Sequence, residues 1–350
     1  MKFNLIIPCA GESTRFPGVK PKWMLAHPNG EYMFIASIEK FNLNVFDNIY
    51  IVVLKEHIDK YKCYDGIVKS FNKIKTKAKF NIVVLDKKTK SQPETIANAI
   101  ELKNITGSIF IKDSDSYFNF NDIVENGVCT RNLHDIDMIT VGNKSYVNID
   151  DNGYITNIVE KRVTSSDFCV GGYSFESANE YLKYYNKLKH NTGLYVSHII
   201  FNMLLDGKKF KQIKTSMYED WGTLKSWNKY KETFKTLFVD LDGVLVYNSA
   251  PYSPPFWGDT LAIKKNVQYL RELHNTGRVQ IIITTARTEE YRDVTLKQLT
   301  REEIPYDKIL FDMLHTQRII INDYAKTNKY PSCKAINISR DSNNLEDYLQ

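Results

Sequence analysis

Residues Ile6 to Lys22 read I-I-P-C-A-G-E-S-T-R-F-P-G-V-K-P-K: a short apolar run breaks into a loop of small residues that carries one Arg and then two Lys. A strand that ends in such a turn leaves backbone N–H groups free, and the neighbouring cations add charge, so the loop suits a polyphosphate. A nucleoside triphosphate is the expected ligand. Behind this strand the apolar runs Phe3–Pro8, Asn48–Leu54, Phe80–Leu85, Ser108–Lys112 and Asp137–Val141 alternate with helix-like segments as far as about Tyr230. That alternation predicts an α/β fold, a parallel sheet covered by helices, with ligands beyond the carboxyl ends of the strands. It then starts again. The strand Thr236–Val239 runs into Asp240-Leu-Asp242-Gly243, followed by helical Ile263–Asn275, strand Val279–Thr284, helical Val294–Glu302 and strand Ile319–Ile321.

Two domains are expected, 1–232 and 235–350, because 350 residues with 43% hydrophobic content allow two ordinary cores and the boundary falls near Lys231–Lys235. No apolar run reaches the ~20 residues of a membrane span, and the N-terminus lacks a signal-peptide pattern, so a cytoplasmic location is expected. Cys9, Cys63, Cys129, Cys169 and Cys333 are odd in number and widely spread, which implies neither a disulfide framework nor a zinc site. The net charge is +6, but acids and bases interleave, and the one basic stretch, Lys73 to Lys90, has little aromatic interleaving. It reads as a solvated face rather than a nucleic-acid patch. Anionic small substrates account for the charge.

The opening loop resembles that of the sugar nucleotidyltransferases, which couple an NTP to a phosphorylated sugar or polyol and release pyrophosphate. Gly11, Ser13, Thr14, Arg15, Pro21 and Lys22 fill the family's G-x-[GS]-[ST]-R and P-K places, with Ser13 where many relatives have a second Gly. The resemblance implies a Rossmann-like domain with a mixed, mostly parallel sheet. It also implies that Ala10, Gly11, Glu12, Ser13, Thr14, Arg15 and Lys22 cradle the triphosphate, with Arg15 and Lys22 catalytic. Ser91-Gln92-Pro93-Glu94-Thr95 opens a predicted helix (Ile96–Leu102), and relatives set its Gln92 and Thr95 against base and ribose.

Strand Ser108–Lys112 leads into Asp113-Ser-Asp115, carboxylates at a strand end that suit Mg2+, a hard cation held by one or two carboxylates plus substrate phosphates. The family's metal Asp corresponds to Asp115, and Tyr218-Glu-Asp220-Trp-Gly222-Thr223 resembles its second metal segment, with Asp220 the ligand. Asp113 joins the expected nucleotide-binding set. Glu160-Lys161 and Val170-Gly171-Gly172-Tyr173-Ser174-Phe175 match the elements around the acceptor, where Glu160 bonds sugar hydroxyls, Lys161 approaches the acceptor phosphate and Gly172 lines the site. Tyr195-Val-Ser197 and Phe201-Asn202 continue the match. Asp113-Ser-Asp115 also fits the D-x-D of a GT-A-like glycosyltransferase, the rival reading. The Arg15/Lys22 loop counts against it, because a donor without a γ-phosphate does not need those cations.

Phe238-Val-Asp240-Leu-Asp242-Gly243 resembles the first motif of haloacid dehalogenase-like (HAD-like) phosphatases. Two Asp at i and i+2 after a buried strand place one carboxylate as nucleophile, Asp240, and the other as acid/base, Asp242. The resemblance implies Thr285 as the phosphate-binding hydroxyl and Mg2+ on Asp240, Asp242 and Asp323. The motif's usual Lys is missing from Asp312-Met-Leu-His315-Thr-Gln-Arg318, where Arg318 or His315 is the nearest substitute. Between the first two motifs there is room only for Asn248–Gly258 and one helix, hence a capless domain with Pro251–Trp257 as local flap. The expectation is a bifunctional enzyme of nucleotide-sugar or CDP-polyol synthesis for surface or capsule polysaccharide. It would need no nucleic acid or membrane, and an oligomer is allowed. The further alternative is a HAD-like domain that only regulates.

Overall fold

Branched apolar runs build the centre of the first of two compact units, Met1–Lys231 and Glu232–Gln350. A computed structural model describes residues 3–136, 141–249, 257–323 and 332–349 of the chain. Four of the runs form β1 (Phe3–Pro8), β2 (Asn48–Leu54), β3 (Lys79–Leu85) and β4 (Ser108–Lys112), parallel in the order β3-β2-β1-β4. Their alternating side chains feed two cores: Leu5 and Ile7 of β1 enter one cluster with Trp23, Phe34 and Phe110, while Ile6 enters the other with Ile96, Ile111 and Tyr181. A sheet covered on both faces needs that continuous apolar sequence.

Later strands are β5 (Ser116–Phe118), β6 (Gly127–Asn132), β7 (Ser145–Ile149), β8 (Ile155–Glu160), β9 (Asp167–Phe175), β10 (Lys211–Lys214) and β11 (Tyr218–Asp220). The main sheet runs β10-β6-β9-β4-β1-β2-β3, with β7 on β9 and β8 on β7. Only β8 and β9 oppose the other strands of this sheet, so it is mixed and mostly parallel. A separate antiparallel pair joins β5 to β11. The helices are α1 (Met33–Ala36), α2 (Lys55–Tyr61), α3 (Tyr64–Asn72), α4 (Gln92–Lys103), α5 (Ala178–Leu188), α6 (Val196–Leu205) and α7 (Leu224–Glu232).

Helix α4 starts earlier than its apolar pattern suggests, because Ser91 caps it by accepting from Glu94 N (3.3 Å) and Pro93 sits in the first turn. Asn104, left-handed at φ 48°, ends it. Ile96 and Ile100, four apart on its inner face, are buried and contribute about 2 kcal/mol each.

In the second unit β12 (Lys235–Asp240), β13 (Val279–Thr284) and β14 (Lys308–Leu310) form a parallel sheet in that order, with helices α8 (Lys264–Asn275), α9 (Arg292–Arg301) and α10 (Glu346–Leu349). Leu241, Leu245, Val267, Leu270, Ile281, Ile283 and Leu299 fill its core. One expectation fails here. Ile319–Ile321 forms no strand, and Ile319 and Ile321 are 76% and 94% exposed. An apolar triplet reads as a buried strand only if a neighbour accepts its hydrogen bonds, and none does among the described residues. The expected strand Asp137–Val141 lies outside the described residues except for Val141, which opens the 3-10 turn Val141–Asn143. The expected flap Pro251–Trp257 lies outside them except for Trp257, whose ring meets Tyr291 edge-on at 4.7 Å. Among the described residues no helix is long and apolar enough to cross a membrane.

Candidate active site

The loop after β1 is anchored at Cys9, whose N–H reaches Val52 O (2.8 Å), and at Phe16, which is buried. Between these anchors the backbone N–H groups of Ala10, Gly11, Glu12, Ser13, Thr14 and Arg15 find no protein acceptor among the described residues. Unpaired donors on a loop are what an anion uses. A Cβ at Gly11 would meet nothing within 4 Å, so the space above the loop is open. Ser13 is left-handed (φ 53°), the conformation that makes Gly common at such a place, and its Oγ accepts from Lys22 N (3.0 Å). The G-E-S-T-R and P-K segments are thereby tied together.

Both expected metal carboxylates come to this loop. Asp115 Oδ2 lies 2.5 Å from Lys22 Nζ and 3.5 Å from Arg15 Nη2. The β5–β11 register sets Asp220 opposite Ser116, and Trp221 N donates to Asp115 O (3.0 Å). At Gly222 a Cβ would stand 2.9 Å from Asp220 Oδ1, 3.3 Å from Arg15 Nη1 and 3.4 Å from Asp115 Oδ2, so these three groups surround one point. Burial works to raise the Asp115 carboxyl, but Lys22 and Arg15 overturn it and hold the group well below the usual carboxylate range. Asp220 Oδ2 pairs with Lys144 at 3.0 Å, a cation that the sequence reading missed.

Asp113 faces elsewhere. Its N–H donates to Gly171 O (2.8 Å) and its Oδ1 accepts from Gln92 Nε2 (2.5 Å). Gly171 is at φ 90°, and a Cβ there would stand 2.6 Å from Asp113 Oδ2, so only glycine fits. Burial, then the Asp115 charge, pushes the Asp113 carboxyl up to about 6. Beneath the loop, fully buried Lys112 donates to Asp113 O (2.5 Å), Ser116 O (2.7 Å) and Ser116 Oγ (3.1 Å), and burial pulls it down to about 8. Thr95 lies deeper. It is buried, and its hydroxyl bonds Thr89 Oγ1 (2.6 Å) and Ser91 O (3.2 Å) at the start of α4.

At the end of β8, Glu160 Oε2 accepts from Ser145 Oγ (2.5 Å) and Ser197 Oγ (2.7 Å). Lys161, at φ 55°, bonds the Tyr195 hydroxyl and lies 4.2 Å over that ring. Gly172 is packed, because a Cβ there would meet Phe118 at 2.7 Å and Cys129 Sγ at 2.8 Å, so its role is close strand packing. His27, Trp221, Trp227 and Tyr230 form one aromatic cluster, with His27 Nε2 2.9 Å from the Tyr230 hydroxyl. It ties α7 and the Asp220 segment to the chain just beyond Lys22.

In the second unit Asp240 ends β12, and Arg318 Nη2 reaches its Oδ1 at 3.1 Å. Burial raises the Asp240 carboxyl, with Arg318 working against it. Asp242 is engaged: buried Arg287 grips it in a bidentate pair (Nη2–Oδ1 2.7 Å, Nε–Oδ2 2.9 Å) and also bonds Thr295 (3.0 Å) and Gln298 (2.8 Å). While that pair holds, Asp242 is not the free acid/base the motif implied. Thr285 Oγ1 accepts from Arg287 N (3.1 Å). Asp323 follows the exposed Ile319–Ile321 segment, and its neighbour Asn322 bonds Ser332 O (3.1 Å).

No three His, Cys, Asp or Glu side chains gather as a metal-holding set among the described residues. The expected trio Asp240, Asp242 and Asp323 is therefore not assembled. Asp115 and Asp220 are of the ligand type Mg2+ takes: two hard carboxylates approach one point beside Gly222, and each is balanced by Lys or Arg. Lys112 and Arg287 had sequence signals, a Lys closing an apolar strand before two Asp and an Arg just after Thr285. Lys144 had none.

Known structures share this fold. A nucleoside-diphosphate-sugar pyrophosphorylase from Vibrio cholerae RC9 matches at 20% identity and TM-score 0.53, over 65% of this chain and 98% of that one. A UDP-glucose pyrophosphorylase complexed with UDP-glucose matches at 17% and 0.52 over 66% and 99%, and the inositol-1-phosphate CTP transferase from T. maritima at 14% and 0.51 over 64% and 90%. The first unit has the fold of sugar nucleotidyltransferases. No family model matches the chain, and no curated protein matches its sequence.

Proposed function

We propose that the first unit is a nucleotidyltransferase that joins an NTP to a phosphorylated sugar or polyol and releases pyrophosphate. The observation that carries this reading is the row of unpartnered N–H groups from Ala10 to Arg15 beside Arg15, Lys22, Asp115 and Asp220. An oxygen of the acceptor's phosphate attacks the α-phosphorus, a new P–O bond forms, and the bond to the β-phosphate oxygen breaks. Such a transfer needs charge neutralisation and alignment more than covalent help. The free N–H groups, Arg15 and Lys22 bind the β- and γ-phosphates and take up the charge of the departing pyrophosphate. Gln92, held by Asp113, meets the nucleoside, and Glu160 bonds hydroxyls of the acceptor. Mg2+, held by Asp115 and Asp220, supplies further neutralisation at the phosphates. A phosphate monoester is already anionic near neutral pH, so no general base is required.

The test is pyrophosphate release from each of the four NTPs and dTTP, mixed with a panel of sugar and polyol phosphates. Release that needs both substrates supports the reading. Transfer from a nucleotide-sugar to an acceptor without pyrophosphate would instead support the glycosyltransferase.

A second activity is favoured by the Arg318–Asp240 contact. The second unit is read as a capless HAD-like phosphatase in which Asp240 attacks phosphorus, the ester P–O bond breaks, the leaving oxygen takes a proton from water to depart as the alcohol, and water then hydrolyses the aspartyl phosphate to free phosphate. Arg318 replaces the missing Lys, and Thr285 is the phosphate-binding hydroxyl. The Asp240, Asp242 and Asp323 set does not fit a metal as it stands, so no step is assigned to one. The proposed setting is cytoplasmic synthesis of activated precursors for surface polysaccharide, with the phosphatase acting on another phosphate ester of the same route.

A further inference from the structure

Lys144 is placed between the two halves of the first unit's centre. Its backbone belongs to the acceptor side: its carbonyl accepts from Lys161 N (2.9 Å), and the next residue, Ser145, donates to Glu160. Its side chain goes the other way. The Nζ pairs with Asp220 Oδ2 at 3.0 Å, bonds the Tyr218 hydroxyl and lies 5.1 Å over the Tyr218 ring, with 14% of the side chain exposed. Holding a flexible, well-hydrated ammonium in so closed a place costs desolvation and rotamer entropy.

Asp220 Oδ1 accepts from Gly222 N (2.9 Å) and is the oxygen at the point shared with Asp115 and Arg15, while Oδ2 is the oxygen Lys144 holds. A divalent cation held by Asp220 would set its charge against the ammonium on the same carboxylate. Once a cation neutralises Asp220, Lys144 has three donors to place, and it stands just before β7, whose first residue, Ser145, pairs with Glu160 at the end of β8. Lys161 makes the matching contact with Tyr195, bonding its hydroxyl and lying 4.2 Å over its ring.

We propose that Lys144 is a substrate-binding residue that balances Asp220 and turns to the acceptor's phosphate when a divalent cation binds Asp220. This rests on the nucleotidyltransfer reading. Full-length wild type, Lys144→Met, Lys144→Gln and Lys144→Arg are compared for Mn2+ binding without substrate and for inorganic phosphate binding with Mn2+ present. Sites elsewhere cancel in the comparison.

The expected result is about tenfold tighter Mn2+ and about tenfold weaker phosphate in Lys144→Met, the scale of one charge-assisted hydrogen bond. Lys144→Arg should recover most of the phosphate affinity. In turnover, Lys144→Met should raise KM for the sugar or polyol phosphate more than KM for the NTP. Unchanged Mn2+ and phosphate affinities in a folded Met or Gln variant overturn the proposal. If wild type releases no pyrophosphate with any pair, the reaction reading fails and the two binding measurements still decide the role of Lys144. If wild type is active and both affinities are flat, Lys144 alone is wrong.

Discussion

Backbone pairing ties the segments of Asp115 and Asp220 to each other in the first unit; in the second, Asp240 sits in the paired strand β12, but no backbone pairing among the described residues ties Asp323 to it. The β5–β11 pair sets Asp220 across from Ser116, and Trp221 N ties the same segment to Asp115 O, so strand register brings the carboxylates together. In the second unit Asp240 ends an edge strand, Asp242 is committed to Arg287, and Asp323 follows an exposed coil. A site built on regular elements is positioned before a ligand arrives, whereas one built from loops must pay for ordering when the ligand binds.

The sharpest way to break this comparison is Asp115→Ala or Asp220→Ala. Each should lower pyrophosphate release by about a thousandfold or more, as losing a preorganised electrostatic group does, and leave phosphate-ester hydrolysis intact. Near-normal release by either variant would show that the paired carboxylates are not the reaction centre. Asp240→Asn should do the reverse, removing hydrolysis of a phosphate-ester panel and sparing transfer, with Arg318→Ala next in severity. Should wild type hydrolyse none of the esters, the second unit is a regulatory or docking module.

Lys112 tests what the buried charge beneath the first centre costs. Burial holds its pKa near 8 against an ordinary 10.5, so the folded state carries the charge at a cost below about 8. Between 8 and 10.5 the unfolded chain binds the extra proton, and stability rises with pH. The stability of wild type relative to Lys112→Met should therefore rise on the order of 3 kcal/mol across that window, measured by urea unfolding. A difference independent of pH would refute the buried charge. Gly171→Ala should have the smallest effect, about 2 kcal/mol of stability, from the left-handed backbone and the collision with Asp113. A thermal midpoint equal to wild type would show that Asp113 can move aside.

The loop from Ile6 to Lys22 was legible because strand, small residues and cations lie together in one stretch. Asp115 and Asp220 were legible as two separate strand-end acids, but their approach to Gly222 was not. The partners of Thr95 were not legible, because a helix-cap sequence and a ligand-facing sequence look alike; the structure sets its hydroxyl against Thr89 and Ser91. Ile319–Ile321 was misread because apolarity predicts burial only if a partner is present. Lys144 follows the short turn Val141–Asn143, and nothing in its neighbours marks it.

Local order came from the sequence alone. Runs such as Phe3–Pro8, Asn48–Leu54 and Ser108–Lys112 are strands, and Ser91 starts a helix, because side-chain alternation and capping act between near neighbours. Which charges meet was decided by tertiary structure. Pairing of Lys22 and Arg15 with Asp115, of Lys144 with Asp220 and of Arg287 with Asp242 depends on strand register and loop path, and a charge in a sequence carries no information about the distance over which it will be compensated.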